Sequence, residues 1–478
     1  MGRPAGSSSE RSSARDGPSA AAARASSGKR ALAVDALGIA VLYAGACAFA
    51  RAAGFDHVSD DDFSRVTIAQ AFAHAPRLDP SGTSWLPFPF WVLGTLMAVF
   101  GRSLAVAHAT SIVLASAAAT APYLTLRSCG IARGRALLAA AFALATPWCV
   151  WLGAAPVPES FTASLTAAGV IGLAAVRAHD DERTDDDASE RPPRPRMAVL
   201  FSLAIVAACL SRYEPWPIAA VLAVALAMRA ARAPRERRRL VLGLAVLCSL
   251  GPLLWMAWNA HAHDGPLHFF RRVSSFKRAI GDGATDTVEA LALYPRLLFT
   301  TRPELAIPTL FLLPALKNPH VRRRWGVPLL CVAAQLAFLS YGNARDGAPA
   351  HHPERALLGT MMLLALFTAD VGMSKLRGLA LDGRALAAKA GAAFFGVAWI
   401  ISSIRGADPP GQGAMDDRTE QIARGAKLRA DGVKSIVVTP CAFEHFALIA
   451  AYGAPEDAMI EPRTGAAPTS ECPNVEIR

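Results

Sequence analysis

Three consecutive carboxylates, Asp60, Asp61 and Asp62, stand just beyond the first long apolar segment of the chain. A carboxylate at that place can take a proton from an attacking hydroxyl or amine, or ligate a metal. Asp60 or Asp61 can equally cap the helix that starts near Phe63, since an acidic N-cap needs one side chain. Three are present, and three adjacent like charges resist entry into a bilayer. Other residues suited to chemistry follow at intervals. Trp85 opens the run Trp85-Leu86-Pro87-Phe88-Pro89-Phe90-Trp91. Glu159 ends the turn Ala154-Ala155-Pro156-Val157-Pro158-Glu159. Arg212, Tyr213 and Glu214 stand together at a helix end. Arg272, Lys277 and Arg278 make a later loop basic, which suits an anionic group such as a phosphate or a lipid headgroup. His352 and Arg355 lie in His351-His352-Pro353-Glu354-Arg355, where Arg355 has the fork geometry for phosphate oxygens. Each has a plainer use: Trp85 as an interface anchor, Arg212 and Glu214 as a local ion pair, Arg355 as a snorkelling cation. His261 and His263 form an HxH pair, too few ligands alone to define a metal site.

The elements that position these residues are membrane helices. Of 478 residues, 53% are hydrophobic and 18% charged. The mean hydropathy is +0.30. Apolar stretches of roughly 17–25 residues, the length that spans a bilayer, recur along most of the chain. The net charge of +11 does not indicate nucleic acid, because the basic residues cluster between apolar segments as a topology signal. Of eight cysteines, six lie in or beside apolar segments. Cys441 and Cys472 fall in the polar tail and can pair if that tail is extracytoplasmic.

Basic clusters set the threading. Residues 1–30 are a polar, disordered cytoplasmic tail. A retained helix near 32–53 crosses to the outside, which places the acidic triplet there. Of the stretches 86–101 and 104–126, the first lies in the outer interface as a juxtamembrane helix and the second crosses. Crossings at 136–153, 160–177, 197–211, 216–230, 240–258, 303–316, 325–341, 356–373 and 387–404 follow, with a long outer loop at 259–302. The expectation is mainly α: a polytopic helical membrane domain over 31–405 with about eleven transmembrane helices and juxtamembrane helices in the first outer loop. Residues 406–478 form a small extracytoplasmic α/β domain, with helices over 416–430 and 443–452 and strands at 435–438 and 458–460.

In order and sidedness these features resemble the GT-C superfamily of polytopic glycosyltransferases, as in protein O-mannosyltransferases and lipid A aminoarabinose transferases. Asp60-Asp61-Asp62-Phe63 with Ile68-Ala69 is similar to the acidic motif of the family's first outer loop, although the pair here is Asp-Asp rather than Asp-Glu. Trp85-Leu86-Pro87 through Gly94 resembles the juxtamembrane helix that follows. Pro158-Glu159 resembles an outer turn, Ser211-Arg212-Tyr213-Glu214 an Arg-Tyr-Glu element, and Pro353-Glu354-Arg355-Ala356-Leu357-Leu358 a late Arg-containing segment. The resemblance implies inverting sugar transfer from a polyprenyl-phosphate donor to a lipid, glycan or protein acceptor at the extracytoplasmic face of a bacterial inner membrane. It implies Asp61, or else Asp60, as the base, with Asp62, Trp85, Glu159, Tyr213, Glu214 and His352 lining the site. Arg212 lines it too, and Arg272, Lys277, Arg278 and Arg355 supply the positive charge. A divalent metal does not carry over, because metal use varies within the superfamily. A transporter or lipid flippase is the rival class, but no internal repeat is visible and the charges sit at helix ends.

Overall fold

The computed structural model describes residues 18–176, 194–279, 286–347, 352–379, 417–461 and 473–477. Helix α1 (Pro18–Ala52) leads to a loop and two short helices, α2 (Asp60–His74) and α3 (Phe88–Phe100), followed by α4 (Leu104–Ser128). Then come α5 (Arg133–Leu144), α6 (Pro147–Ala154), α7 (Glu159–Ala174), α8 (Pro195–Cys209), α9 (Pro215–Arg232) and α10 (Arg235–Ala262). Helices α11 (His268–Ala279), α12 (Thr287–Thr301), α13 (Pro303–Leu312), α14 (Pro319–Ala344) and α15 (Leu358–Leu379) complete the bundle. The C-terminal unit holds α16 (Thr419–Ala430), α17 (His445–Tyr452) and strands β1 (Ile436–Thr439), β2 (Ala458–Ile460) and β3 (Asn474–Ile477).

Among the described residues, six helices are long and apolar enough to cross a bilayer: α1, α4, α9, α10, α14 and the segment Pro353–Lys375. The pair α5–α6 makes up to seven if it counts as one span, though it bends by 71°. The sequence suggested a single helix over 136–153. Pro147 explains the break. It cannot donate a backbone hydrogen bond, so a second helix starts there, and Thr146 caps it by accepting from the Cys149 N–H at 3.2 Å. The expected crossing at 387–404 lies outside the described residues. The chain is built as an integral membrane protein. Leu42, Phe49, Val113, Val224 and Val246 are 60–77% exposed on these helices, an apolar surface that suits lipid rather than water.

Two polar layers bracket the apolar length. At one end Arg51 of α1 joins the Asp56 carboxylate at 3.0 Å and His108 of α4 at 2.9 Å. At the other end Asp35 of the same helix accepts from Tyr123 and from two nitrogens of Arg133, at 2.8 and 2.7 Å. A helix rises 1.5 Å per residue, so Asp35 and Arg51 are about 24 Å apart along α1, comparable to a hydrocarbon core of about 30 Å. Arg324, Trp325 and Arg135 also converge on the buried Asp370, at 2.8, 2.9 and 3.0 Å.

Several elements differ from the sequence reading. Helix α1 begins at Pro18, inside the stretch read as a polar tail, where alanines favour helix. The loop at 259–302 contains α11 and α12. Helix α11 sets Phe269 inward and Arg271 and Arg272 outward, a pattern that suits an interfacial helix. In the C-terminal unit the order is β2-β1-β3, with β1–β2 parallel and β1–β3 antiparallel. Strand β3 was not expected. Ile436, Val438, Leu448, Ile449 and Tyr452 make a small core of its own. The unit is also joined to the bundle, since Ala447 and Ala450 pack with Phe63, Val66, Ala69, Phe90 and Leu93. Cys441 is in a disulfide; Cys472, the partner the sequence offers, lies outside the described residues.

Candidate active site

Helix α2 begins at Asp60, after Ser59 in extended backbone with no side-chain cap bond. The three carboxylates thus fill the first helical turn instead of capping it, where the positive end of the helix dipole favours them. Successive helical residues diverge by about 100°, and the acids separate accordingly. Asp62 turns inward, is fully buried, and accepts the Val58 N–H at 2.7 Å. Its Oδ1 has no partner among the described residues. Burial pushes this carboxyl up to about 6, against the pull of the Arg355 charge. Asp60 faces the C-terminal unit, where Arg418 donates to both its oxygens at 2.7 and 2.9 Å. Asp61 is exposed. Against α2 lies α3, and the fit is close. A Cβ at Gly94 would meet Phe72 Cδ1 at 2.5 Å and the Ala69 carbonyl at 2.8 Å.

Three other segments bring charge to the same end of the bundle. Glu159 opens α7 and is 2% exposed. Its Oε1 accepts from Arg355, through Nη2 at 2.6 Å and Nε at 3.0 Å, and from Arg212 Nη1 at 2.5 Å. Arg355 reaches on to Ser59 Oγ at 3.3 Å, which ties the late segment to the start of α2. Arg212 also holds Glu214, with Nε at 2.9 and 3.0 Å from its two oxygens. The result is a chain Ser59–Arg355–Glu159–Arg212–Glu214, with Arg355, Glu159 and Glu214 buried and Ser59 and Arg212 partly so. Beside it is a small cavity whose lining includes Thr162, Thr166, Gln335 and Gly359. The Thr162 and Thr166 hydroxyls are buried without protein partners among the described residues, so the cavity suits a polar occupant.

The remaining sequence candidates make their contacts outside this chain of charges. Tyr213 donates to the Ser84 carbonyl at 2.6 Å and accepts from Trp255 Nε1 at 3.2 Å, with its ring stacked on Phe269 of α11 at 4.6 Å. Trp85 lies under the Arg65 guanidinium, 4.5 Å from ring centre to Cζ. His352 adopts φ +50° and sits 5.8 Å from the Trp148 ring. The basic residues of α11 make contacts away from the Glu159 chain. Lys277 donates to Asn343 at 3.1 Å, Arg278 lies 3.9 Å from Asp346, and Arg272 is exposed. The HxH pair does not form a metal set: His261 rests near Trp258, and His263 stacks on His268 at 4.3 Å near Asp79. No group of three or more His, Cys, Asp or Glu is placed to hold a metal among the described residues.

Sequence reasoning missed Arg65 and Arg418. Arg65 had a usable signal, because it stands three and four residues after Asp62 and Asp61, on the same helical face. Arg418 had none, since nothing local to it points to Asp60.

No protein-family model matches the chain, and no curated protein sequence matches it. Solved structures do. The oligosaccharyltransferase of Archaeoglobus fulgidus, crystallised with zinc and sulfate, superposes with a TM-score of 0.50 at 13% identity, over 89% of this chain and 62% of that one. The oligosaccharyltransferase AglB of Archaeoglobus fulgidus, in complex with an inhibitory peptide and a dolichol-phosphate, gives 0.46 at 14% identity, over 83% and 58%. The chain spans less than two thirds of the length of either. At this identity the likeness is one of fold. The fold is shared with the matched part of the first of these structures.

Proposed function

We propose that the protein is an integral membrane glycosyltransferase. It moves a sugar from a polyprenyl-phosphate donor to a lipid, glycan or protein acceptor at the extracytoplasmic face, with inversion. The observation that carries the reading is the sorting of the triplet by the first turn of α2. Asp60 is paired, Asp62 is buried, and Asp61 is the exposed carboxylate beside a buried set of arginines. A base must be ionised and reachable by the acceptor proton. Asp61 is the one within reach, so it removes or orients that proton while the acceptor oxygen or nitrogen attacks the anomeric carbon. The lipid phosphate leaves with the bond pair, and fixed positive charge stabilises it. Arg355 and Arg212 supply that charge at the site, and Arg272, exposed on α11, adds to it at this end. The GT-C fold shared with an oligosaccharyltransferase supports the reaction class. The reading takes about eleven crossings, a bacterial inner membrane and a hexose of the mannosyl kind.

The test compares lipid extracts and surface glycans from cells with and without the protein. One polyprenyl-phosphate sugar should accumulate in its absence, and one surface glycan should lose a residue. Unchanged carrier pools together with unchanged glycans would overturn the reading.

A further inference from the structure

Three buried oxygen atoms along one face of α7 have hydrogen bonds still to make. Glu159 Oε2, Thr162 Oγ1 and Thr166 Oγ1 are without partners among the described residues, and their residues are only 2–4% exposed. The spacing i, i+3, i+7 puts them in one row, and all three residues line the small cavity beside the chain of charges. The other polar groups of that lining are already committed. Glu159 Oε1 is held by Arg355 and Arg212, and Glu214 by Arg212. Gln335 donates to the Ala356 carbonyl at 3.2 Å and accepts from Thr360 at 3.0 Å. What stays open is one carboxylate oxygen, which accepts, and two hydroxyls, which donate or accept.

We infer that the cavity is a binding site for one neutral hydroxyl oxygen, held between Glu159 Oε2 and the Thr162 hydroxyl, with Thr166 one turn deeper. Size sets the first limit. The cavity offers about 20 Å³, and one water oxygen needs roughly 10–15 Å³. Charge sets the second. The lining carries Arg212 and Arg355 against Glu159 and Glu214, so an added ion of either sign would be buried without a counter-charge. An apolar group would leave all three oxygens unsatisfied. A water molecule and one hydroxyl of the transferred sugar present the chemistry that remains. Either occupant fixes the second oxygen of a carboxylate whose first oxygen sets Arg355 and Arg212. Thr162 and Thr166 therefore act on the site through Glu159. With water bound they are positioning residues; with the sugar hydroxyl bound they are specificity-determining ones. The inference rests on the glycosyltransferase reading for the sugar and the kinetics. It does not rest on it for the site.

The test is an experimental structure of the full-length protein in lipid nanodiscs, at a resolution that shows ordered water, alone and with mannosyl undecaprenyl phosphate bound as probe. The protein alone should show one density peak within hydrogen-bond distance of Glu159 Oε2 and Thr162 Oγ1, the same in sodium chloride and in potassium nitrate. With the probe bound, a persisting peak assigns the site to water, and its replacement by a sugar hydroxyl assigns it to the substrate. Thr162→Val keeps the shape and removes the hydroxyl, so the peak should be lost; Thr162→Ser should retain it. Thr166→Val, which should weaken the peak, serves if Thr162→Val does not fold. In sugar transfer, Thr162→Val should lower kcat about tenfold at unchanged KM in the water case, and raise KM about tenfold in the substrate case. Thr162→Ser should restore either. A resolved cavity without a peak would overturn the inference, as would a peak that survives both valine variants or changes with the salt. Wild-type kcat and KM in folded Thr162→Val would overturn its link to the reaction. A peak in a wild-type protein that transfers no sugar sinks the glycosyltransferase reading and spares the site; transfer without a peak does the reverse.

Discussion

Arg418 grips Asp60 through Nε and Nη2, at 2.7 and 2.9 Å, across 358 residues of sequence. The pair joins the C-terminal unit to the helix that carries the acidic triplet. Around it, Gln70 of α2 donates to the Ala450 carbonyl at 2.7 Å and to that of Arg102 at 2.8 Å, and Arg102 reaches Glu456 at 2.6 Å. The unit is thereby seated on α2 by charge and by shared core.

This seating separates the roles of adjacent acids. Asp61→Asn should lower sugar transfer by about 10²–10⁴-fold, the usual range for loss of a general base. Asp60→Asn and Arg418→Gln should each cost far less, and the double variant should match either single one, since both remove the same pair. Turnover of a labelled polyprenyl-phosphate sugar in reconstituted vesicles measures all four. Equal loss for Asp60→Asn and Asp61→Asn would contradict the assignment.

Asp62 makes stability depend on pH. Its folded-state carboxyl is raised to about 6 from an ordinary 3.8. Between those values the folded protein holds more protons than the unfolded chain, so stability falls as pH rises from about 4 to about 6. Above that window the cost is on the order of 3 kcal/mol. Asp62→Asn keeps an acceptor for Val58 and removes the charge. It should raise the Tm at pH 7.5, with a smaller effect at pH 4. Thermal unfolding in detergent at the two pH values checks the sign.

Glu159→Gln should destabilise the protein. It leaves Arg212 and Arg355 buried beside a neutral amide, and removing one partner from a buried ion pair costs about 3–5 kcal/mol. Glu159→Gln with Arg355→Met should recover part of the loss, because one uncompensated cation goes with it. A Tm for the double variant at or below that of Glu159→Gln alone would argue against this account.

Gly94→Ala tests how closely α3 must approach α2. The new methyl would sit 2.5 Å from Phe72 Cδ1 and 2.8 Å from a backbone oxygen. The ring can turn, but the carbonyl cannot move without shifting α2. We expect lower transfer and a stability loss of about 1–3 kcal/mol, the usual cost of overpacking. A neutral effect on both would mean that α2 and α3 are free to separate.

The sequence by itself determined the class of architecture. Apolar segments of bilayer length and charges confined to their ends are local properties, so α1, α4, α10 and α14 were legible from composition and periodicity. So was the α/β character of the tail through β1, α17 and β2. The break at Pro147 could be read in principle, because proline acts on its own helix. Strand β3 could not, since a short strand is defined by the neighbour it pairs with.

The site divides in the same way. Residue types and their order marked the triplet, Glu159, the Arg212–Glu214 element and Arg355. Tertiary structure alone decided that Glu159 lies between Arg212 and Arg355, that Arg418 holds Asp60, and that the α11 cations have other partners. The physical reason is that a buried charge is stabilised by whatever the fold brings within about 3 Å, and these partners come from segments 53, 196 and 358 residues away. Helical spacing could say that three adjacent acids point in three directions. Only packing could say which of them was left facing the site.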